Sequence, residues 1–92
     1  MATDRAVMDI NGQPAPPPTV ERVSQIVAGV LGVATIGPED DLFDLDTSSL
    51  QMVQIVAKSY QVFGVEVPLP DLFDGPTVAS LVSLIERERD RL

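Results

Sequence analysis

The stretch Leu42–Phe63 constrains this chain more than any other: an acidic run, three small hydroxyl residues, then a long amphipathic pattern. Its centre reads Asp44-Leu45-Asp46-Thr47-Ser48-Ser49-Leu50. Thr47 and Ser48 are both suitable N-caps, because a hydroxyl at that position accepts a hydrogen bond from an otherwise unpaired backbone N–H. The pattern predicts a helix from about Ser48 to Phe63, with Gly64 as its stop. At about 100° per residue the helix separates into three sectors. Gln51, Gln54, Lys58 and Gln61 form a polar face, and Met52, Ile55, Val56, Ser59, Tyr60 and Phe63 form a core-facing arc. Leu50, Val53 and Ala57 make a third, apolar stripe that either widens the core face or serves as a docking strip. Ser49 falls in the first turn, at the positive end of the helix dipole, where a phosphate would be favoured.

The chain is 92 residues long, enough for one small domain. It has no cysteine and no histidine, which removes disulfides, thiolate-held metals and the Ser-His-Asp and Cys-His catalytic arrangements. Any reaction at Ser49 must therefore borrow its catalytic groups from another protein. The formal charge is −8, from 14 acidic and 6 basic residues. Eight of the acids lie between Glu39 and Asp74, with only Lys58 against them, so the negative field surrounds Ser49. Such a surface repels nucleic acid and anionic lipid and suits partners with basic patches. No long apolar run reads as a signal peptide or membrane span, so a cytoplasmic location is expected.

Residues 1–17 read as a flexible Pro-rich tail preceding a domain over 18–92, since Gly12, Pro14, Pro16, Pro17 and Pro18 disfavour regular structure. Thr19 caps a first predicted helix to about Leu31, whose Val20, Val23, Ile26, Val27, Val30 and Leu31 share one face; Gly32 stops it. A long connection to Thr47 follows, and its Val33, Ile36, Leu42, Phe43 and Leu45 are expected to pack on the helices. Val65-Glu66-Val67 reads as extended. Pro68 and Pro70 leave room for a short helical turn over Asp71–Asp74, where Leu69, Leu72 and Phe73 would close the core. After Gly75-Pro76, Thr77 caps a last helix with Val78, Leu81, Val82 and Ile85 on its buried face. The alternating charges of 86–91 predict weak i, i+3 pairs such as Glu86–Arg89.

Asp44 and Asp46 are spaced as the first two ligands of a calcium loop. The sixth position is then Ser49 where glycine is needed, and the twelfth is Ile55 where glutamate is needed, so no metal site is assigned. A solvated loop explains the acids better than an acid–base pair does.

Asp41-Leu42-Phe43-Asp44-Leu45, Ser49-Leu50, Phe63-Gly64-Val65-Glu66-Val67-Pro68, Leu72-Phe73-Asp74 and Pro76-Thr77-Val78-Ala79-Ser80-Leu81 occur in the order and spacing of one family. Over about Val20 to Ile85 the chain resembles the acyl and peptidyl carrier proteins. The resemblance implies an all-α fold, a small bundle of three main helices plus one short helix, with a long loop between helices 1 and 2. It also implies a non-catalytic protein carrying 4′-phosphopantetheine, transferred from coenzyme A to Ser49 by a Mg²⁺-dependent phosphopantetheinyl transferase. A loading enzyme (adenylation enzyme or acyltransferase) and a condensing enzyme (ketosynthase or condensation domain) would then read a surface of Asp44, Asp46, Leu50, Val53, Ala57 and Phe73.

The chain departs from the family in having Ser48 where an aspartate usually precedes the serine, and Asp46-Thr47 where a Gly-Gly or Gly-Leu pair is usual. Ser48 is thus a rival attachment residue; Ser49 keeps the family's Ser-Leu pair. An acid-free second helix carrying Lys58 resembles the carriers of polyketide and nonribosomal peptide pathways more than those of fatty-acid synthesis. A discrete monomeric carrier is expected. The competing expectation is an unmodified interaction module on the same fold.

Overall fold

The computed structural model describes residues 7–91, and the expectations for residues 1–6 and 92 lie outside it. Its elements are four α-helices: α1 (Val20–Leu31), α2 (Ser49–Phe63), α3 (Leu69–Asp74) and α4 (Val78–Asp90), with a 3-10 turn over Leu42–Leu45 between α1 and α2. No strand is present among the described residues. The boundaries follow from local chemistry. The hydroxyls of Thr19, Ser48 and Thr77 accept from Arg22 N, Gln51 N and Ser80 N, each satisfying one N–H of a first turn. Gly32 and Gly64 end α1 and α2 in the left-handed conformation that glycine adopts at least cost.

The helix α3 begins two residues earlier than the prolines suggest. Pro70 occupies its first turn, where an N–H has no intrahelical acceptor, so its missing donor is no loss.

The core lies where α1 packs on α2 and α4, and α3 on α2 and α4. Val23 and Val27 enter it from α1, Met52, Ile55 and Phe63 from α2, Leu72 from α3, and Val78, Leu81 and Ile85 from α4. Val65 and Val67 are buried while Glu66 between them is exposed, as an extended segment over one face requires. Each such side chain stabilises the fold by about 1.5–3 kcal/mol relative to exposure. On α1 and α2, two predicted core positions fail. Val20 is exposed on the first turn of α1, and Tyr60 is half exposed because the arc that α2 buries is narrower than the sequence pattern suggests.

The long connection divides its apolar residues. Leu42 is fully buried and its N–H donates to Pro76 O (2.8 Å), while Ala79 N donates to Pro38 O (3.0 Å), so the loop is tied to the start of α4. Ile36 packs against the core, but Val33, Phe43 and Leu45 face solvent, contrary to the expectation that all five pack inward. In a 3-10 turn anchored through Leu42, Phe43 is rotated by about a third of a turn and cannot share its inward direction, whereas the turn's period does not account for the exposure of Leu45 three residues on.

Residues 7–17, expected from composition to form part of a tail, instead lie along the bundle. The Asp9 carboxylate accepts from the N–H groups of Asn11 and Gln13 (both 2.9 Å), closing a turn that brings Met8 opposite Pro14. Val7 packs against the core, Ile10 N donates to Gln61 O (3.3 Å), and Arg89 donates to Pro16 O (3.2 Å). The prolines prevent helix and ladder, yet their carbonyls still accept hydrogen bonds, and that is the capacity this segment uses. At the other end, the expected Glu86–Arg89 pair is absent among the described residues. Arg87 reaches Asp71 on α3 (2.6 Å), and the i, i+3 pair is Glu88–Arg91 (3.6 Å).

Candidate functional site

The loop before α2 ends on a left-handed residue, Asp46 (φ 60°), whose N–H donates to the carbonyls of Leu42 and Phe43. Aspartate tolerates this region better than most residues. The turn directs Thr47 inward, where it is buried, and leaves Ser48 in extended backbone as the N-cap. Ser48 is held by a reciprocal pair: its Oγ accepts from Gln51 N (3.1 Å), and its own N–H donates to Gln51 Oε1 (2.9 Å). This is a capping box, and the spacing Ser48-x-x-Gln51 is its sequence signal.

Ser49 is therefore the first helical residue. It is exposed, and its hydroxyl forms no hydrogen bond to the described residues. The N–H groups of the first turn that the cap does not use point outward, beside the positive end of the α2 dipole. A phosphodiester on Ser49 Oγ would meet donors and no nearby buried group that must move. The residues present fit a 4′-phosphopantetheine arm. Of the two candidate serines, one hydroxyl is engaged in the cap and the other is free.

Around this point the exposed apolar side chains gather. Leu50 is 67% exposed, and Val53 and Ala57 are exposed beyond it on the same side of α2, so these three do not widen the core. Tyr60 extends them by one more turn and, with Val53, Val56, Ala57 and Glu66, lines a shallow depression. Phe73, expected to close the core, is only partly covered; Leu72 beside it takes that role. Phe73 instead meets Phe43 of the 3-10 turn, ring centroids 5.9 Å apart and tilted by 41°, so α3 and the loop share one exposed aromatic pair.

Phe43 and Tyr60 are two surface residues that the sequence pattern places inside. Each sits beside a buried residue, Leu42 and Ser59 respectively, and only the packing decides which of the two neighbours points in.

The acids differ in their duties. Asp41 caps the 3-10 turn through Phe43 N (2.8 Å) and Asp40 accepts from Gly37 N (2.9 Å), whereas the side chains of Asp44 and Asp46 remain in solvent, open to a partner. No group of three or more His, Cys, Asp or Glu side chains among the described residues could hold a metal ion. No helix among them is long and apolar enough to cross a membrane.

Comparison with known proteins agrees with this geometry. The family described as "phosphopantetheine attachment site" matches residues 21–85. Phosphinothricin tripeptide synthetase PhsC of Streptomyces viridochromogenes is 38% identical over 79 residues, 86% of this chain and 7% of that protein. Tyrocidine synthase 3 of Brevibacillus parabrevis is 35% identical over 83 residues, 89% of this chain and 1% of that protein. The chain thus spans a small fraction of the length of these relatives. Among solved structures, a chain in the complex of the phosphopantetheine transferase Sfp with coenzyme A and a peptidyl carrier protein superposes with a TM-score of 0.71. It is 31% identical, over 79% of this chain and 96% of that one.

Proposed function

The chain belongs to the phosphopantetheine-attachment family, and on that premise we propose that it is a carrier of the nonribosomal-peptide type, modified on Ser49. The Ser49 oxygen forms a phosphodiester bond as the pyrophosphate bond of coenzyme A breaks and its nucleotide part leaves. The hydroxyl proton passes to a base of the transferase, because this chain has no histidine to take it. The thiol of the attached arm supplies what a chain without cysteine lacks, a group able to hold an acyl or aminoacyl unit as a thioester.

In this reading the protein is a substrate of other enzymes and works in the cytoplasm as a monomer, with residues 18–92 as the carrier unit. Leu50, Val53, Ala57 and Phe73 meet the apolar part of each partner's docking site, with Asp44 and Asp46 giving charge. Tyr60 and Phe43 join that surface. The partners are a phosphopantetheinyl transferase, a loading enzyme and a condensing enzyme, each held briefly through a small interface. The observation that carries the reading is the free, exposed hydroxyl of Ser49 at the start of α2, beside a Ser48 hydroxyl already engaged in capping.

The test is intact mass after incubation with coenzyme A, Mg²⁺ and a transferase of broad specificity, using wild type, Ser49→Ala and Ser48→Ala. Wild type and Ser48→Ala are expected to gain roughly 340 Da and Ser49→Ala nothing, while loss of the cap lowers the stability of Ser48→Ala by about 1 kcal/mol. A gain that survives Ser49→Ala would move the attachment to Ser48. No gain on folded wild type would overturn the carrier reading in favour of an unmodified interaction module.

A further inference from the structure

A second surface adjoins the stripe that begins at Leu50 and shares only Ala57 with it among the described residues. Between α1 and α2 runs an open groove whose sides include Ile26, Val30 and Val62, all half buried. Gly29, exposed in the last turn of α1, lies along it. A glycine within a helix is disfavoured relative to alanine. Nothing among the described residues lies within 4 Å of where its Cβ would be, so no packing among them accounts for it. The charge is also unusual for this protein. Its acids outnumber its bases by 14 to 6, yet none of the ten described residues lining the groove is acidic and two, Arg22 and Lys58, are basic. Neither makes an ion pair among the described residues; Arg22 has only a long hydrogen bond to Pro17 O (3.5 Å).

We propose that this groove is a docking site for an acidic amphipathic helix of a partner protein, distinct from the surface around Ser49 although Ala57 lies on the border of both. The apolar sides accept the occupant's aliphatic stripe, and the missing side chain at Gly29 lets the two backbones approach closely. Arg22 and Lys58 pair with carboxylates flanking that stripe, and Gln25, Gln54 and Gln61 supply neutral hydrogen-bonding groups. The rest of the surface, being strongly acidic, repels the same helix, so charge directs it to this groove. Occupancy does not require the Ser49 modification.

The probe is a synthetic amphipathic helix of about 18 residues with a leucine stripe flanked by glutamates, long enough to cover several turns. It is titrated into ¹⁵N-labelled full-length chain at low salt, beside a peptide with lysine in place of each glutamate. Saturable amide shifts are expected at Gly29, Val30, Lys58 and Gln61 with the glutamate peptide only. Lys58→Glu should weaken binding several-fold, and the double variant with Arg22→Glu about tenfold or more, as expected for losing and reversing two exposed pairs. Gly29→Leu, which keeps helix propensity but fills the groove, should abolish binding. Circular dichroism confirms that each variant is folded.

The inference is overturned by an absence of saturable shifts, by equal binding of the lysine peptide, or by shifts confined to Leu50, Val53 and Phe73. It is also overturned if the same shifts arise on concentrating the protein alone, which would make the occupant a second copy. A failed mass gain at Ser49 would leave this result untouched, so the two readings stand or fall separately.

Discussion

Thr47 and Ser48 are adjacent hydroxyl residues with opposite fates. Both could cap α2 by sequence, but Ser48 does so and Thr47 is turned into the protein, where its Oγ1 has no hydrogen-bond partner among the described residues. A buried hydroxyl without a partner loses its hydration for nothing in return. Thr47→Val keeps the shape and removes the unpaired group. It is expected to raise stability by about 1 kcal/mol, an increase of several degrees in the melting temperature, without changing the rate of modification at Ser49. Thermal unfolding followed by circular dichroism, beside the mass assay, checks both parts. A loss of stability would mean that the hydroxyl has a partner, such as an internal water. At this scale the candidate serines are visible in the sequence, while the choice of cap depends on which hydroxyl the preceding 3-10 turn leaves outside.

At the level of elements, α2 is organised by its ends. Its start carries the capping box and Ser49, and its end meets the segment 7–17 at Gly64. A Cβ at Gly64 would collide with the Met8 carbonyl oxygen, whereas at Gly32 it would meet nothing among the described residues. Both glycines have φ of 73°, so the conformational penalty of alanine is the same at the two sites, about 1–2 kcal/mol. Gly64→Ala should therefore cost more than Gly32→Ala, and only Gly64→Ala should shift the amide resonances of residues 7–15. Denaturant unfolding of the two variants measures the difference, and equal losses would show that the segment contributes nothing to holding α2. The helix ends are legible because caps and glycine stops act within four residues. The contact of Met8 with Gly64 joins residues far apart in the chain and leaves no local trace.

Over the whole molecule, the −8 charge and the exposed apolar surface act together. The field speeds encounter with a basic partner and the apolar side chains hold it, so salt should slow capture more than it weakens the docked complex. The transferase's kcat/KM for this protein is expected to fall about three- to tenfold between roughly 0.05 and 0.5 M salt, with kcat nearly constant. Initial rates at several ionic strengths test this, and a flat profile would remove the acids from recognition.

The helical class, the order of the elements, their caps and the serine at the head of α2 can all be read from the residues in line. Those features follow from periodicity and short-range hydrogen bonding, which act within one element. Folding in three dimensions was needed to settle that Leu42 enters the core while Phe43 meets Phe73, that Tyr60 joins the outer stripe, and that Arg87 pairs with Asp71 rather than only within its helix. The same holds for residues 7–17 lying against α2 and α4, and for the groove free of acids between α1 and α2. The physical reason is common to all of these. A helix that is apolar over more than half its circumference can bury only the arc its neighbours cover, and where those neighbours sit is set by contacts between residues far apart in the chain.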